Sequence, residues 1–128
     1  MPVDHSAHVF KRAQRGLFAG KRRLVGYSVS ASKRHTKRHW LPNVQRKRLF
    51  SATLGRSLEL SVTTTALRTI DRFGGLDEYL LRSQQGQLRS ALGEKLKRTV
   101  QDWAAGAEAF KQRKARRAAA AAAPEKLR

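Results

Sequence analysis

The chain has 128 residues, with 28 Lys or Arg against 9 Asp or Glu and a formal net charge of +19. This length accommodates one small domain with extensions, and so positive a field implies a polyanionic partner such as nucleic acid. The absence of Cys excludes disulfides and Cys-based zinc or redox sites, and no apolar run approaches the roughly 20 residues of a membrane-spanning helix.

Basic residues dominate the first half of the chain. Residues 5–58 contain 14 Lys or Arg and no acid, whereas residues 59–128 contain 14 basic and 8 acidic residues. The first half is therefore expected to bind and the second to pack.

Residues 1–24 leave two interpretations open, an organelle-targeting segment or an RNA-binding arm. Within them, Leu17, Phe18 and Ala19 are expected to anchor on a partner surface or to belong to a tail that orders on binding.

A strand is predicted over residues 24–31. Val25, Tyr27 and Val29 alternate with small residues there, which is the period of a strand. Gly26 lies inside this pattern and is expected to mark a bulge or the close approach of a phosphate, a simple turn residue being the alternative.

Residues 33–48 form the most basic segment, with seven Lys or Arg, two His and no acid. Charge repulsion and Pro42 favour an extended arm that lies on nucleic acid. Trp40 offers a flat face for an unstacked base, and the alternative is a ring buried over the neighbouring hairpin. His35 and His39 have no third ligand nearby, and Pro42 opposes the helix that would align them, so no metal site is predicted.

A hairpin is predicted next, from residues 48–54 and 58–63 with a three-residue loop at 55–57. Leu58, Leu60 and Val62 alternate cleanly along its second strand, which indicates one buried face. The cations Arg46, Lys47 and Arg48 are expected at the base of this hairpin.

Two short helices are predicted after the hairpin. The first begins near Thr64 or Thr65, either of which can cap it, and ends at Gly74. The second covers residues 75–81, and its apolar side chains, Leu76, Tyr79 and Leu80, are expected in the core.

A long amphipathic helix is predicted beyond Ser83, because apolar residues recur there at spacings of three or four. Such a helix exceeds a core of this size, so its outer part is expected to contact a neighbouring protein. From residue 111 the chain is basic and Ala-rich, and continued helix up to Pro124 and low-complexity disorder both remain open. The apolar positions are Leu88, Leu92, Leu96, Val100, Trp103, Ala107 and Phe110.

Three short motifs precede the hairpin in a recognisable order: Gly26-Tyr27-Ser28-Val29-Ser30, Thr36-Lys37-Arg38 and Trp40-Leu41-Pro42-Asn43-Val44. Over about residues 20–81, this order resembles the bacterial-type large-ribosomal-subunit protein family 28, and the Trp-x-Pro-Asn-Val motif resembles its mitochondrial branch. Tyr27 departs from the Asn usual in the family, and without Cys the zinc site of some bacterial members cannot form.

The resemblance and the charge imply a structural constituent of the large subunit of an organellar ribosome, expected in the mitochondrion, with the chloroplast as the alternative. Its expected partners are large-subunit ribosomal RNA and, through the C-terminal helix, neighbouring ribosomal proteins. No cofactor or small-molecule substrate is implied, and no catalytic signature is present, so the chain is not expected to be an enzyme. Charge alone also allows a histone-like protein that compacts nucleic acid.

The residues expected to bind RNA are the cations of the arm and its flanks, together with two polar residues and one aromatic residue of the arm. They are Lys21, Arg22, Arg23, Lys33, Arg34, Thr36, Lys37, Arg38, Trp40, Asn43, Arg46, Lys47 and Arg48. The cations are assigned to RNA binding because of their charge, and Trp40 because its ring can stack on a base. The role of Thr36 rests on the resemblance.

The predicted fold class is α+β: a small antiparallel β hairpin or sheet with an extended basic arm, two short helices and a long C-terminal helix. Three regions are expected. They are a basic N-terminal extension over residues 1–20, a ribosomal-protein core over 21–82, and a C-terminal helical extension with an Ala-rich basic tail over 83–128.

Overall fold

The computed structural model describes residues 10–84 and 86–122. Over these residues the chain forms two separate two-stranded antiparallel sheets, β1–β2 and β3–β4, and three α-helices. The predicted α+β class with a long C-terminal helix is confirmed. The interpretations of residues 1–9 and of Pro124 lie outside the described residues. The elements are a 3₁₀ helix (Lys11–Arg15), β1 (Leu24–Val29), β2 (His35–Trp40), β3 (Val44–Ser51), β4 (Arg56–Thr63), α1 (Thr64–Phe73), α2 (Leu76–Arg82) and α3 (Ala91–Ala122).

The β3–β4 hairpin supplies one face of the core, because Leu58, Leu60 and Val62 alternate towards the helices and are half-buried or buried. The predicted loop at 55–57 is wrong: pairing extends to Ser51↔Arg56, so residues 52–55 form the turn. Asp77 of α2 explains this position. Its carboxylate accepts hydrogen bonds from Ser51 Oγ at 2.6 Å and from the Thr53 N–H at 2.8 Å, which satisfies donors of the turn.

The segment before β1 packs into the core of the protein itself. Leu17 and Phe18 are 0% and 1% exposed. The Leu17 N–H donates to the Ser61 carbonyl at 2.9 Å, and the Thr63 N–H donates to the Leu17 carbonyl at 3.1 Å. The expectation that these apolar residues anchor on a partner surface is therefore wrong, because the open edge of β4 offers the unpaired backbone groups that hold them.

Helices α1 and α2 cover the hairpin, and their ends follow local signals. The prediction that Thr64 or Thr65 caps α1 is wrong, because the cap is Thr63, whose Oγ1 accepts a hydrogen bond from the Ala66 N–H at 3.3 Å. Gly74 ends α1 with a left-handed φ of 87°, as predicted. Leu76, Tyr79 and Leu80 are buried, which confirms their assignment to the core, and this burial raises the pKa of the Tyr79 hydroxyl.

Helix α3 has an inner half that packs on the core and an outer half that does not. Val100 is 1% exposed, whereas Trp103 and Phe110 further along are 62% and 70% exposed. The prediction of one long amphipathic helix is confirmed, but α3 begins at Ala91, so the buried Leu88 precedes it. Of the two interpretations of the Ala-rich tail, the helical one holds up to Ala122. Within the described residues, no helix has the length and apolarity to span a bilayer.

Candidate nucleic-acid interface

Strands β1 and β2 and the turn between them, residues 24–40, form a projecting hairpin that we call the ribbon. Every residue of the ribbon except Gly26 is exposed. Its turn is closed by Ser30, whose N–H donates to the Arg34 carbonyl at 3.0 Å and whose Oγ accepts from the Arg34 N–H at 3.1 Å. A two-stranded hairpin without a covering layer is marginally stable in water. Among the described residues no element covers the ribbon, so both of its faces are open to solvent.

The basic segment is extended, as predicted, but it is not a free arm. Residues 35–40 pair with β1 along a continuous register from Leu24↔Trp40 to Val29↔His35. The β-branched and aromatic residues of β1 favour a strand. Pairing with β1 also gives the backbone N–H and C=O groups of β2 hydrogen-bond partners that replace water. Pairing fixes the direction of every β2 side chain, because neighbours along a strand point to opposite faces.

One face of the ribbon, the tryptophan face, contains Leu24, Gly26, Ser28, Thr36, Arg38 and Trp40. The Trp40 ring lies over Gly26, where a Cβ would come 2.6 Å from ring atom Cζ3. The Arg38 guanidinium carbon lies 4.5 Å from the ring centroid, within the range of a cation–π interaction. Trp40 remains 41% exposed, so this face presents an aromatic ring held in place beside a cation.

Two expectations about the tryptophan face are corrected by this geometry. The ring of Trp40 is not buried over the β3–β4 hairpin, because it packs within its own hairpin and stays exposed. Gly26 marks neither a bulge nor the approach of a phosphate in this structure, since the register is continuous and the group that approaches is the Trp40 ring.

The opposite face, the tyrosine face, contains Val25, Tyr27, Val29, His35, Lys37 and His39. The rings of Tyr27 and His35 meet edge to face with centroids 6.1 Å apart. His35 and His39 are four residues apart on a strand, about 13 Å, which is too far for one metal ion. No group of three or more His, Asp or Glu in the described part of the chain is placed to hold a metal.

The thirteen residues expected to bind RNA are all exposed, but they do not share one surface. Strand alternation separates them: Thr36, Arg38 and Trp40 lie on the tryptophan face and Lys37 on the tyrosine face. Lys33 and Arg34 lie at the ribbon turn, and Lys21, Arg22 and Arg23 precede β1. Asn43 connects β2 to β3, and Arg46, Lys47 and Arg48 lie within β3 rather than at the base of the hairpin.

Asn43 also joins the ribbon to the body. Its carbonyl accepts the Thr64 N–H at 3.1 Å at the start of α1, and its side-chain Oδ1 accepts from Gln45 Nε2 at 2.9 Å. The exposed side chain is still accessible, so this residue fixes the position of the ribbon as well as offering a polar contact.

Two further aromatic residues are exposed close to the predicted cations, and they were not among the residues predicted to bind RNA. Tyr27 is 57% exposed beside Lys37, and Phe50 is 61% exposed on the face of β3 that carries Arg46 and Arg48. The signal for Phe50 was its position two residues after Arg48. Arg46 itself is partly matched, since its Nε lies 3.4 Å from Glu59 Oε1.

Comparison with known proteins gives a consistent result. The model of the Ribosomal L28 family matches residues 14–73. Large ribosomal subunit protein bL28 of Magnetococcus marinus is 42% identical over 80 residues, which cover 62% of this chain and 84% of that protein. Large ribosomal subunit protein bL28m of Neurospora crassa is 43% identical over 84 residues, which cover 63% of this chain but 30% of that longer protein.

The match of the family model covers the ribbon, the β3–β4 hairpin and α1, and α3 begins after the matched residues. The members of such a family are structural and not enzymatic, which confirms that the chain is not an enzyme. The order of motifs in the sequence had indicated the same family. Because the family model matches residues 14–73 and the bacterial relative is 42% identical over 84% of its length, the chain belongs to the Ribosomal L28 family.

Proposed function

We propose that this protein is a structural component of the large subunit of a mitochondrial ribosome, and that the ribbon holds it on large-subunit ribosomal RNA. The observation that carries the proposal is a cationic hairpin whose two faces are exposed in the described part of the chain and carry aromatic rings packed within the hairpin. The L28 relatives are named as large-subunit proteins, and the Neurospora crassa relative is a mitochondrial one.

The proposed mechanism combines charge neutralisation with stacking. Exposed Lys and Arg on both faces of the ribbon neutralise phosphates and release condensed counterions, which allows RNA segments to approach one another. The Trp40 ring, held over Gly26 and beside Arg38, stacks on an unpaired base. Because the faces point in opposite directions, the ribbon inserts between two RNA surfaces.

The outer half of α3 is proposed to contact a neighbouring protein of the subunit. Trp103, Ala107 and Phe110 continue the apolar stripe whose inner part packs on the core, and the two aromatic side chains are exposed. At 100° per residue these three lie on one side of the helix. A stripe of that kind is completed by an apolar surface.

Fractionation of organelles tests the assignment to the ribosome. A tagged copy is expected to co-sediment with large subunits of purified mitochondria at close to one copy per subunit, as measured by density gradients and quantitative mass spectrometry. A tagged copy recovered with plastid subunits would move the protein to that organelle. Recovery with bulk DNA, and equal affinity for any duplex, would support the histone-like alternative and contradict the proposal.

A further inference from the structure

The outer part of α3 carries a second basic segment, residues 111–117, which we call the tip. Its cations are Lys111, Arg113, Lys114, Arg116 and Arg117, and no acid lies between residues 109 and 122. All five are exposed. Among the residues that the structure describes, the ion pairs are Arg46–Glu59 and Arg82–Glu78, so none involves the tip.

Complementing the dipole of α3 does not explain the tip. Cations stabilise the C-terminal end of a helix, but the effect falls off within the last turn. The last turn of α3 has no basic residue, and the helix continues as alanines from residue 118 to 122. The tip is therefore carried inside a helix that strong helix formers extend beyond it.

The apolar stripe of α3 changes to cations at the tip. Phe110 is followed on the same side of the helix by Lys114, four residues on, and by Arg117, seven residues on. An apolar surface that receives Trp103 and Phe110 would have to desolvate both charges if it continued along the helix. The surface that meets the tip must differ from the one that meets the stripe.

The remaining cations lie to either side of Lys114, and the five cations together span about 220° around the helix. At 100° per residue, Lys111, Arg113 and Arg116 point about 60°, 100° and 160° away from Lys114. A protein groove covers one side of a helix, whereas phosphates of a folded RNA surround it on several sides. At 1.5 Å per residue, the tip begins about 17 Å and ends about 26 Å beyond the buried Val100.

We propose that the tip is a second RNA-binding site, which contacts phosphates of a ribosomal RNA segment other than the one bound by the ribbon. The protein then holds two RNA segments at a distance set by α3. This inference rests on the proposed function, because it takes the surroundings of the chain to be a ribosomal subunit.

Tethered cleavage tests the proposal. Because the chain has no Cys, an iron chelate that reacts with thiols attaches only at a Cys introduced by substitution. In full-length protein assembled into large subunits, Ala115→Cys reports on the tip and Ala31→Cys on the ribbon turn. Hydroxyl radicals from the two positions are expected to cut ribosomal RNA at two different sets of nucleotides. Cleavage from Ala31→Cys without any from Ala115→Cys would overturn the tip site alone, whereas failure to co-sediment would overturn the proposed function.

Neutralisation shows whether charge holds the tip on RNA. Replacing its five cations by Gln, which has a similar helix propensity, is expected to reduce cleavage from Ala115→Cys to background and leave cleavage from Ala31→Cys unchanged. The matched control neutralises five exposed cations of the body, Arg56, Arg68, Arg72, Lys95 and Arg98, and should preserve both patterns. Unchanged cleavage from the neutralised tip, or crosslinks from residue 115 to protein only, would overturn the proposal.

Discussion

The chain contains two β hairpins of similar length that are stable for different reasons. The β3–β4 hairpin turns Leu60 and Val62 into a core that α1, α2 and the inner half of α3 cover. Within residues 10–84 and 86–122 no such layer covers the ribbon, and its Val25, Tyr27 and Val29 stay 57% to 66% exposed. Burial of apolar area therefore stabilises one hairpin, while the other is held by its own strand pairing and by the Trp40 ring over Gly26. Under the proposed function, the buried hairpin serves the fold and the exposed ribbon serves RNA binding.

Truncation of the core should have the largest effect. Leu80 is fully buried among α2, α3 and the hairpin, so Leu80→Ala is expected to lower the free energy of unfolding by about 2 to 5 kcal/mol. The same substitution at Leu41, which is 71% exposed at the end of the ribbon, should change it by less than about 0.5 kcal/mol. Chemical denaturation measures both, and equal losses would show that the ribbon end belongs to the core.

Removal of the carboxylate that holds the β3–β4 turn should have the next largest effect. Asp77 accepts two hydrogen bonds from the turn while partly buried, so Asp77→Ala is expected to cost about 2 kcal/mol of unfolding free energy. Its neighbour Glu78 pairs with Arg82 at 3.2 Å on the surface. Glu78→Ala should cost less than about 1 kcal/mol, and a reversed order in denaturation experiments would refute the role given to Asp77.

The ribbon should respond in RNA affinity rather than in stability. Trp40→Ala is expected to weaken RNA binding by about 1 to 3 kcal/mol with little change in the salt dependence, because stacking releases few counterions. Arg38→Ala should lower the log-log salt slope by about 0.9 for a double-helical target.

The contact between Arg38 and Trp40 makes these two substitutions non-additive. Its geometry predicts a coupling of about 0.5 to 1 kcal/mol in a double-mutant cycle of RNA titrations. Trp40→Phe is the control that keeps an aromatic face. A loss of several kcal/mol of folding stability in Trp40→Ala would instead make the ring a structural residue.

The same substitution at two glycines should have small and opposite consequences, favourable for helix stability at one glycine and unfavourable for RNA binding at the other. Gly106 lies in the outer half of α3 with open space around it, so Gly106→Ala is expected to stabilise the helix by about 1 kcal/mol. Gly26→Ala has the same chemical change but places a methyl group against the Trp40 ring, so it should displace the ring and weaken RNA binding. Circular dichroism and Trp fluorescence distinguish the two, and equal behaviour would argue against the packing of Trp40 on Gly26.

Local patterns in the sequence predicted much of the body. The alternation of Leu58, Leu60 and Val62, and the glycine that ends α1, each depend on residues a few positions apart, so they can be recognised without the fold. The same holds for the long stripe of α3, whose period is confirmed. Membership of the L28 family was likewise recognisable from short motifs.

Contacts between distant residues were not predictable in this way. Leu17 docks on the edge of β4 across 45 residues of chain, a pairing that no local pattern of residues 10–20 indicates. The charges of β2 concealed its strand character, so its pairing with β1 and the separation of Lys37 from Arg38 onto opposite faces were missed. The position of the β3–β4 turn was also mispredicted, because the turn is bonded to the Asp77 carboxylate, more than 20 residues further along the chain.

Hydrogen exchange of the backbone amides, in the free protein and in assembled subunits, tests most directly whether RNA orders the ribbon. The free protein is expected to protect β3–β4 strongly, while amides of residues 24–40 exchange much faster because none of the described elements covers the ribbon. Assembly should then protect the ribbon and leave β3–β4 almost unchanged. Protection of the ribbon equal to that of β3–β4 in the free protein would contradict the account, because RNA would then add nothing to the stability of the ribbon.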